Sequence, residues 1–195
     1  IPILEISTQI ESILSNIRTQ LDKQTKGVRT AERLRKKQLA AERAATLAAK
    51  QRKEQGNESE SDRDFENSSD TEKKETFLDS LTQAGMDQES AEIEATEAVK
   101  TNRRFNFVEG KLNNSVLFEI NSKHGILNVT LNSNHPLYEY LKGLLDDTNK
   151  EEENRALIAL KTMLMAWARM EDERDSERDQ IQDFRVDWGR IVRDM

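Results

Sequence analysis

The chain has no cysteine, only two prolines (Pro2 and Pro136) and seven glycines among 195 residues. Without cysteine there is neither a disulfide framework nor a thiolate metal site within these residues. Aromatic residues are scarce at 5%, and most lie after Phe105. No apolar run approaches the roughly 20 residues needed to cross a bilayer. Ile1 to Leu4 lack the basic region, long apolar run and cleavage site of a signal peptide. The chain also lacks an initiator Met and reads as a fragment or a processed piece. These features predict a cytoplasmic chain without membrane contact. No Gly-rich phosphate loop, nucleophile elbow or Ser-His-Asp order with supporting context is found.

What is abundant is charge. Charged residues make up 34% and hydrophobic residues 35% of the chain, so one large core is not expected. The charge is segregated. Arg18 to Glu54 carries about +8 and Gly56 to Glu97 about −11, while the C-terminal half is near neutral. The basic block includes Arg29, Arg33, Arg35, Lys36, Lys37 and Arg43. It reads either as a solvated helix surface or as a contact for DNA or an acidic protein. It has no aromatic residue, so only phosphate attraction is on offer.

Three regions follow from the patterning. Residues 1–55 read as a helical, coiled-coil-like arm. Ile3, Ile6, Ile10, Ile13 and Ile17 recur at three-four spacing and form a candidate helix-packing seam. The segment from Thr30 to Gln55 is rich in strong helix formers but offers only a thin, Ala-rich stripe. Residues 56–75 read as an acidic, disordered linker, because they hold too little apolar surface to offset the entropy of ordering. Residues 76–195 read as an α+β module. Helices are predicted over 71–81 and 86–100, the latter capped by Ser90 with Ile93 and Val99 inward.

Three strands are then expected: Phe105 to Glu109, Val116 to Ile120 and Ile126 to Leu131, the last two joined by a turn ending in Gly125. They would form a small antiparallel three-stranded sheet packed against C-terminal helices. Those helices are marked by Leu137, Tyr140 and Leu141, by Ala156 to Trp167, and by Ile181, Phe184, Trp188, Ile191 and Val192.

The sharpest local signal is Asn132-Ser133-Asn134-His135-Pro136, where a strand passes into a helix. Pro136 suits a first helical turn. Asn132 or Asn134 would cap the helix while His135 bonds a neighbouring backbone group; a ligand or catalytic role for His135 is the sharper alternative. His124, the second histidine, falls in the expected turn, and no metal-ligand spacing accompanies either. No metal, cofactor-binding or catalytic residue is therefore expected here. Trp167 and Trp188 lie on apolar stripes and read as core.

One resemblance adds to this reading. It is carried by Phe105 and Phe107, Val116-Leu117-Phe118, the run Gly125 to Asn132, and His135-Pro136-Leu137-Tyr138. Ala159-Leu160 through Ala168-Arg169-Met170-Glu171 and Trp188-Gly189 continue it. This order resembles the C-terminal region of bacterial ATP-binding proteins of the GHKL superfamily, the group that includes gyrase B, MutL and histidine kinases. There a hydrophobic strand ends in Asn, and His-Pro-Phe-Tyr precedes two helices; Leu137 stands where Phe is usual. The resemblance implies that Asn132, His135, Pro136 and Tyr138 form a family motif. It also implies that this chain lies downstream of an ATPase whose ATP and Mg are bound elsewhere, since the superfamily's acidic catalytic residue and Gly-rich lids are not found here. It further implies a coupling role toward a protein or DNA partner, or a second copy, in anti-phage or DNA-processing systems. The alternative is a stand-alone coiled-coil adaptor for a protein partner.

Overall fold

A computed structural model describes residues 39–146 and 151–195. The candidate seam Ile3, Ile6, Ile10, Ile13 and Ile17 lies outside the described residues, as do Arg29, Arg33, Arg35, Lys36 and Lys37. Among the described residues, seven helices accompany a three-stranded sheet. Four come first: α1 Ala40–Glu54, α2 Glu60–Asn67, α3 Asp70–Gln83 and α4 Gln88–Lys100. The strands are β1 Phe105–Gly110, β2 Phe118–Lys123 and β3 Ile126–Asn132. After them come α5 Pro136–Asp146, α6 Glu151–Asp172, a short 3₁₀ turn at Asp175–Glu177, and α7 Arg178–Asp194. No helix among the described residues is long and apolar enough to cross a membrane.

The sheet is mixed rather than antiparallel throughout, and its order is β1-β3-β2. β2 and β3 form a hairpin in which Phe118 faces Leu131 and Lys123 faces Ile126. β1 lies parallel to β3, with Phe105 beside Leu127 and Phe107 beside Val129. The seat next to β1 is taken by β3 and not by β2, and that insertion makes one pairing parallel. The hairpin turn needs only His124 (φ 51°) and Gly125 (φ 72°), so β2 extends to Lys123, further than its apolar residues suggest. Two consecutive positive φ values are the signature of the tight turn that matches strand twist.

Alternation gives the sheet two different faces. Phe105, Phe107, Phe118, Leu127, Val129 and Leu131 meet Ala41 and Ala49 of α1 and Leu164, Met165 and Ala168 of α6. Each buried Leu, Val or Phe stabilises this layer by about 1.5–3 kcal/mol. Val108 and Ile126 on the opposite face meet Phe65, Phe77, Leu81 and three alanines of α4, Ala91, Ala95 and Ala98. Ile93 is exposed, because α4 turns this alanine stripe inward. Asp87, not Ser90, caps α4: its carboxylate accepts the Ser90 amide at 2.9 Å.

The acidic segment expected to be a disordered linker is folded. Ser59 and Ser69 each open a helix with a capping box, closed by Asp62 and Glu72 respectively. Phe65 is buried, with the Arg104 guanidinium 4.7 Å from its ring centre and the Lys73 ammonium 4.1 Å away. Asp62 is fully buried, and its carboxylate pairs with Arg104 and, at 2.7 Å, with Arg169 of α6. Apolar area within the segment alone does not account for its order. Distant cations and two caps supplied what the segment itself lacks.

Candidate functional site

The residues singled out at the end of β3 fasten three parts of the chain together. Asn132 is fully buried and uses both ends of its amide. Its Oδ1 accepts the Leu112 and Asn134 amides at 3.1 and 3.0 Å, and its Nδ2 donates to the Asn114 and Val116 carbonyls at 3.2 and 2.8 Å. It thereby shapes the loop between β1 and β2. His135 is buried, and its Nδ1 accepts the Leu137 amide at 3.2 Å. This bond leaves the ring proton on Nε2, which donates to the Gly189 carbonyl of α7 at 3.0 Å. Pro136 is the first residue of α5, and the Tyr138 hydroxyl donates to Glu109 of β1 at 2.5 Å.

The consequence is a fixed seat for α7. A Cβ on Gly189 would lie 2.9 Å from the Leu117 nitrogen and 3.1 Å from the Val116 Cα, so the helix approaches the chain closely there. Arg185, buried, donates to the Phe118 carbonyl at 2.8 Å and to both oxygens of Glu171 at 3.2 and 3.3 Å. Ile181, Arg185 and Gly189 thus form the inward face of α7.

The outward face carries Phe184, Trp188 and Ile191, which are 57%, 38% and 58% exposed. Their spacing of four and then three places them in one row. Trp188 stacks on Trp167 at 6.0 Å between centroids with 21° between planes, and Phe118 meets both rings edge-on at 6.1 and 6.2 Å. Trp188, at the centre of the row, is therefore seated on an aromatic base of Trp167 and Phe118. Trp188, expected in the core, is a partly exposed anchor. Tyr140 of α5, expected on a buried stripe, is 83% exposed.

A second feature lies between α1 and α6. A cavity of about 830 Å³ is floored by Phe105 and Met165, walled by Ala44, Ala48 and Ala166, and closed at one end by Arg52, Arg169 and Glu173. Arg52 donates to Glu173 at 2.6 and 2.5 Å, and Arg169 donates to the same carboxylate at 2.7 Å. Burial pushes the Glu173 carboxyl up, but the two guanidiniums outweigh it and hold it below the usual carboxylate range. Asp62 follows the same logic: burial acts upward, while Arg169, the Ser59 amide and the Arg104 charge bring it below its ordinary value. These ion pairs are structural ties between α1, α2 and α6.

Of the basic residues, the described Arg43 is exposed on α1, apart from this cavity. Lys53, from the same block, is bound to Glu58 and Glu66 of the acidic segment. Among the described residues, no group of three His, Asp or Glu side chains is placed to hold a metal ion. The outward row on α7 was hidden in the sequence because Ile181, Phe184, Trp188, Ile191 and Val192 read as one stripe. The separating signal was Arg185 and Gly189, which share a face with Ile181. Comparison with family models, curated proteins and solved structures finds no match to this chain.

Proposed function

We propose that this chain is a non-catalytic interaction module that docks a protein partner through the outward row of α7. The observation that carries this reading is the exposure of Phe184, Trp188 and Ile191 in one row, with Trp188 seated on Trp167 and Phe118. Aromatic anchors on a preorganised surface are the usual energetic centre of protein interfaces. His135, Asn132 and Tyr138 support it by fastening α5, α7 and the β1–β2 loop.

Taken with the resemblance of the Asn132 to Tyr138 run, the module would be the C-terminal coupling element of a GHKL-type ATPase. ATP and Mg would bind in the preceding ATPase part, in the cytoplasm. The basic residues before α1, Arg29 to Lys37, would contact DNA or an acidic surface. The adaptor alternative uses the same row without an ATPase.

The test is Phe184→Glu combined with Ile191→Glu in the full-length protein. Both side chains are exposed, so unfolding should shift by no more than about 0.5 kcal/mol. Partner binding, and any change in ATP turnover that the partner causes, should be lost. Retention of binding would refute the docking face. An upstream reading frame without ATP-binding residues would move the assignment to the adaptor.

A further inference from the structure

The edge of the sheet formed by β2 points to a second interaction surface. The Leu117 carbonyl accepts the Asn132 amide at 2.8 Å, so Leu117 turns its backbone groups toward β3. The Phe118 carbonyl accepts instead from Arg185 at 2.8 Å, so Phe118 turns outward. Alternation along an antiparallel ladder then makes Glu119, Asn121 and Lys123 face β3, and Ile120 and Ser122 face away. Glu119, Asn121, Ser122 and Lys123 are exposed, and Ile120 is half-buried. Space flanks this edge on both faces of the sheet. A cleft of about 360 Å³ lies beside Glu119, Asn121 and Lys123, and one of about 230 Å³ lies beside Ile120 and Ser122. An exposed edge with unpaired N–H and C=O groups is a template for another strand.

We infer that the occupant is β2 of a second copy, paired antiparallel about a two-fold axis at Asn121. This register is selected by two independent observations. It places Ile120 opposite the partner's Ser122, so the outward-facing backbone groups of both strands meet and Phe118, whose carbonyl Arg185 already holds, is left out. It also places Glu119 opposite the partner's Lys123 and Lys123 opposite the partner's Glu119, giving two cross-strand ion pairs on one side of the joined sheet. Among the described residues Glu119 makes no ion pair, and Lys123 pairs with the exposed Asp79 at 3.3 Å. The result is a continuous six-stranded sheet. Its contact lies next to the row on α7, since Trp188 meets Phe118 at 6.1 Å, but it uses the backbone of Ile120 and Ser122 and none of the row's side chains.

The test is amide exchange at Ile120 and Ser122 in the full chain, read at about 1 µM and about 1 mM. Both amides should exchange at least about tenfold more slowly at the higher concentration. Glu119→Lys alone and Lys123→Glu alone each set like charges opposite one another and should abolish the protection. An equimolar mixture of the two variants should restore it. Ser122→Pro removes one outward N–H at an edge position that tolerates proline, and should abolish protection while far-UV circular dichroism stays unchanged. Phe184→Glu with Ile191→Glu should leave it intact, which separates this contact from the α7 docking face. Exchange at Ile120 and Ser122 that is independent of concentration would overturn the proposal. So would protection that survives both single charge reversals.

Discussion

Arg169→Leu should be among the most damaging single substitutions in this chain. Arg169 makes four hydrogen bonds: to the Ser59 hydroxyl and the Asn57 carbonyl at 2.9 Å, and to Asp62 and Glu173 at 2.7 Å. Leucine keeps much of the apolar stem and deletes every donor. Breaking one partner of a buried ion pair costs about 3–5 kcal/mol, because the other charge is left in a poorly solvating site. Here Asp62 keeps Arg104 and Glu173 keeps Arg52, so the lower end, about 3 kcal/mol, is expected. For a unit of this size that corresponds to a fall in Tm of about 6–12 °C. Urea unfolding followed by Trp167 and Trp188 fluorescence would measure it. Amide exchange across Glu60–Asn67 should rise first, since Arg169 is what holds the cap of α2. Asp62→Asn added to Arg169→Leu should cost less than the sum of the two, because the stranded charge is removed. An Arg169→Leu midpoint within about 1 kcal/mol of the native chain would refute the reasoning and leave the serine caps as sufficient cause of order.

Three other outcomes follow from the same geometry. Asn132→Ala strands two amides and two carbonyls behind β3 and should cost about 2–4 kcal/mol by chemical denaturation, whereas Asp187→Ala at the exposed Arg190 pair should cost less than about 0.5 kcal/mol. Gly125→Ala should destabilise by about 2–5 kcal/mol, since a Cβ there lies 2.2 Å from the Phe65 nitrogen on a backbone with φ of 72°; a neutral result would mean that α2 does not rest on the hairpin. Acid should unfold the chain early. Asp62 and Glu173 titrate lower in the folded state than in the unfolded chain, so their contribution is present above about pH 4 and is lost as pH falls through their depressed values. Urea midpoints from pH 7 down to pH 3 should show that decline, and Asp62→Asn should flatten it.

The elements themselves were largely legible. The strand at Phe105, the strand from Ile126 and the helix at Pro136 begin at their sequence signals, while α6 and α7 begin five and three residues before the apolar residues that mark them. Periodicity is local, and so are the caps that start α2, α3 and α4. What was not legible was who sits beside whom. Nothing in the alternation of β1 says that β3 will come between it and β2, because parallel and antiparallel strands of this length bury the same side chains. The buried ion pairs were equally invisible: Asp62 and Arg169 are 107 positions apart. The role of the Asn132 to Tyr138 run was half visible. Proline at the start of α5 followed from its fixed φ, but the capping group proved to be the His135 ring, and its second nitrogen reaches Gly189 across the fold.

These long-range ties decide what the smallest folding unit is. A module beginning at residue 76 would keep the whole sheet and α4 to α7. It would lose Ala41 and Ala49 from one core layer and Phe65 from the other. It would also take Glu42 from Lys161, 3.0 Å away, and Asp62 from Arg169. Those cations are buried, so each lost ion pair weakens the fold on top of the missing apolar contacts. A net stability of about 5–15 kcal/mol for a domain cannot absorb both. Residues 40–195 should therefore unfold in one cooperative transition, with tryptophan fluorescence and far-UV circular dichroism changing together. Residues 76–195 should be unfolded or molten, with near-UV signal lost. A shorter piece that melts cooperatively would show that the acidic helices are passengers on the sheet. The buried pairing of Asp62 with Arg169 predicts the opposite, that the acidic helices and α6 fold only together.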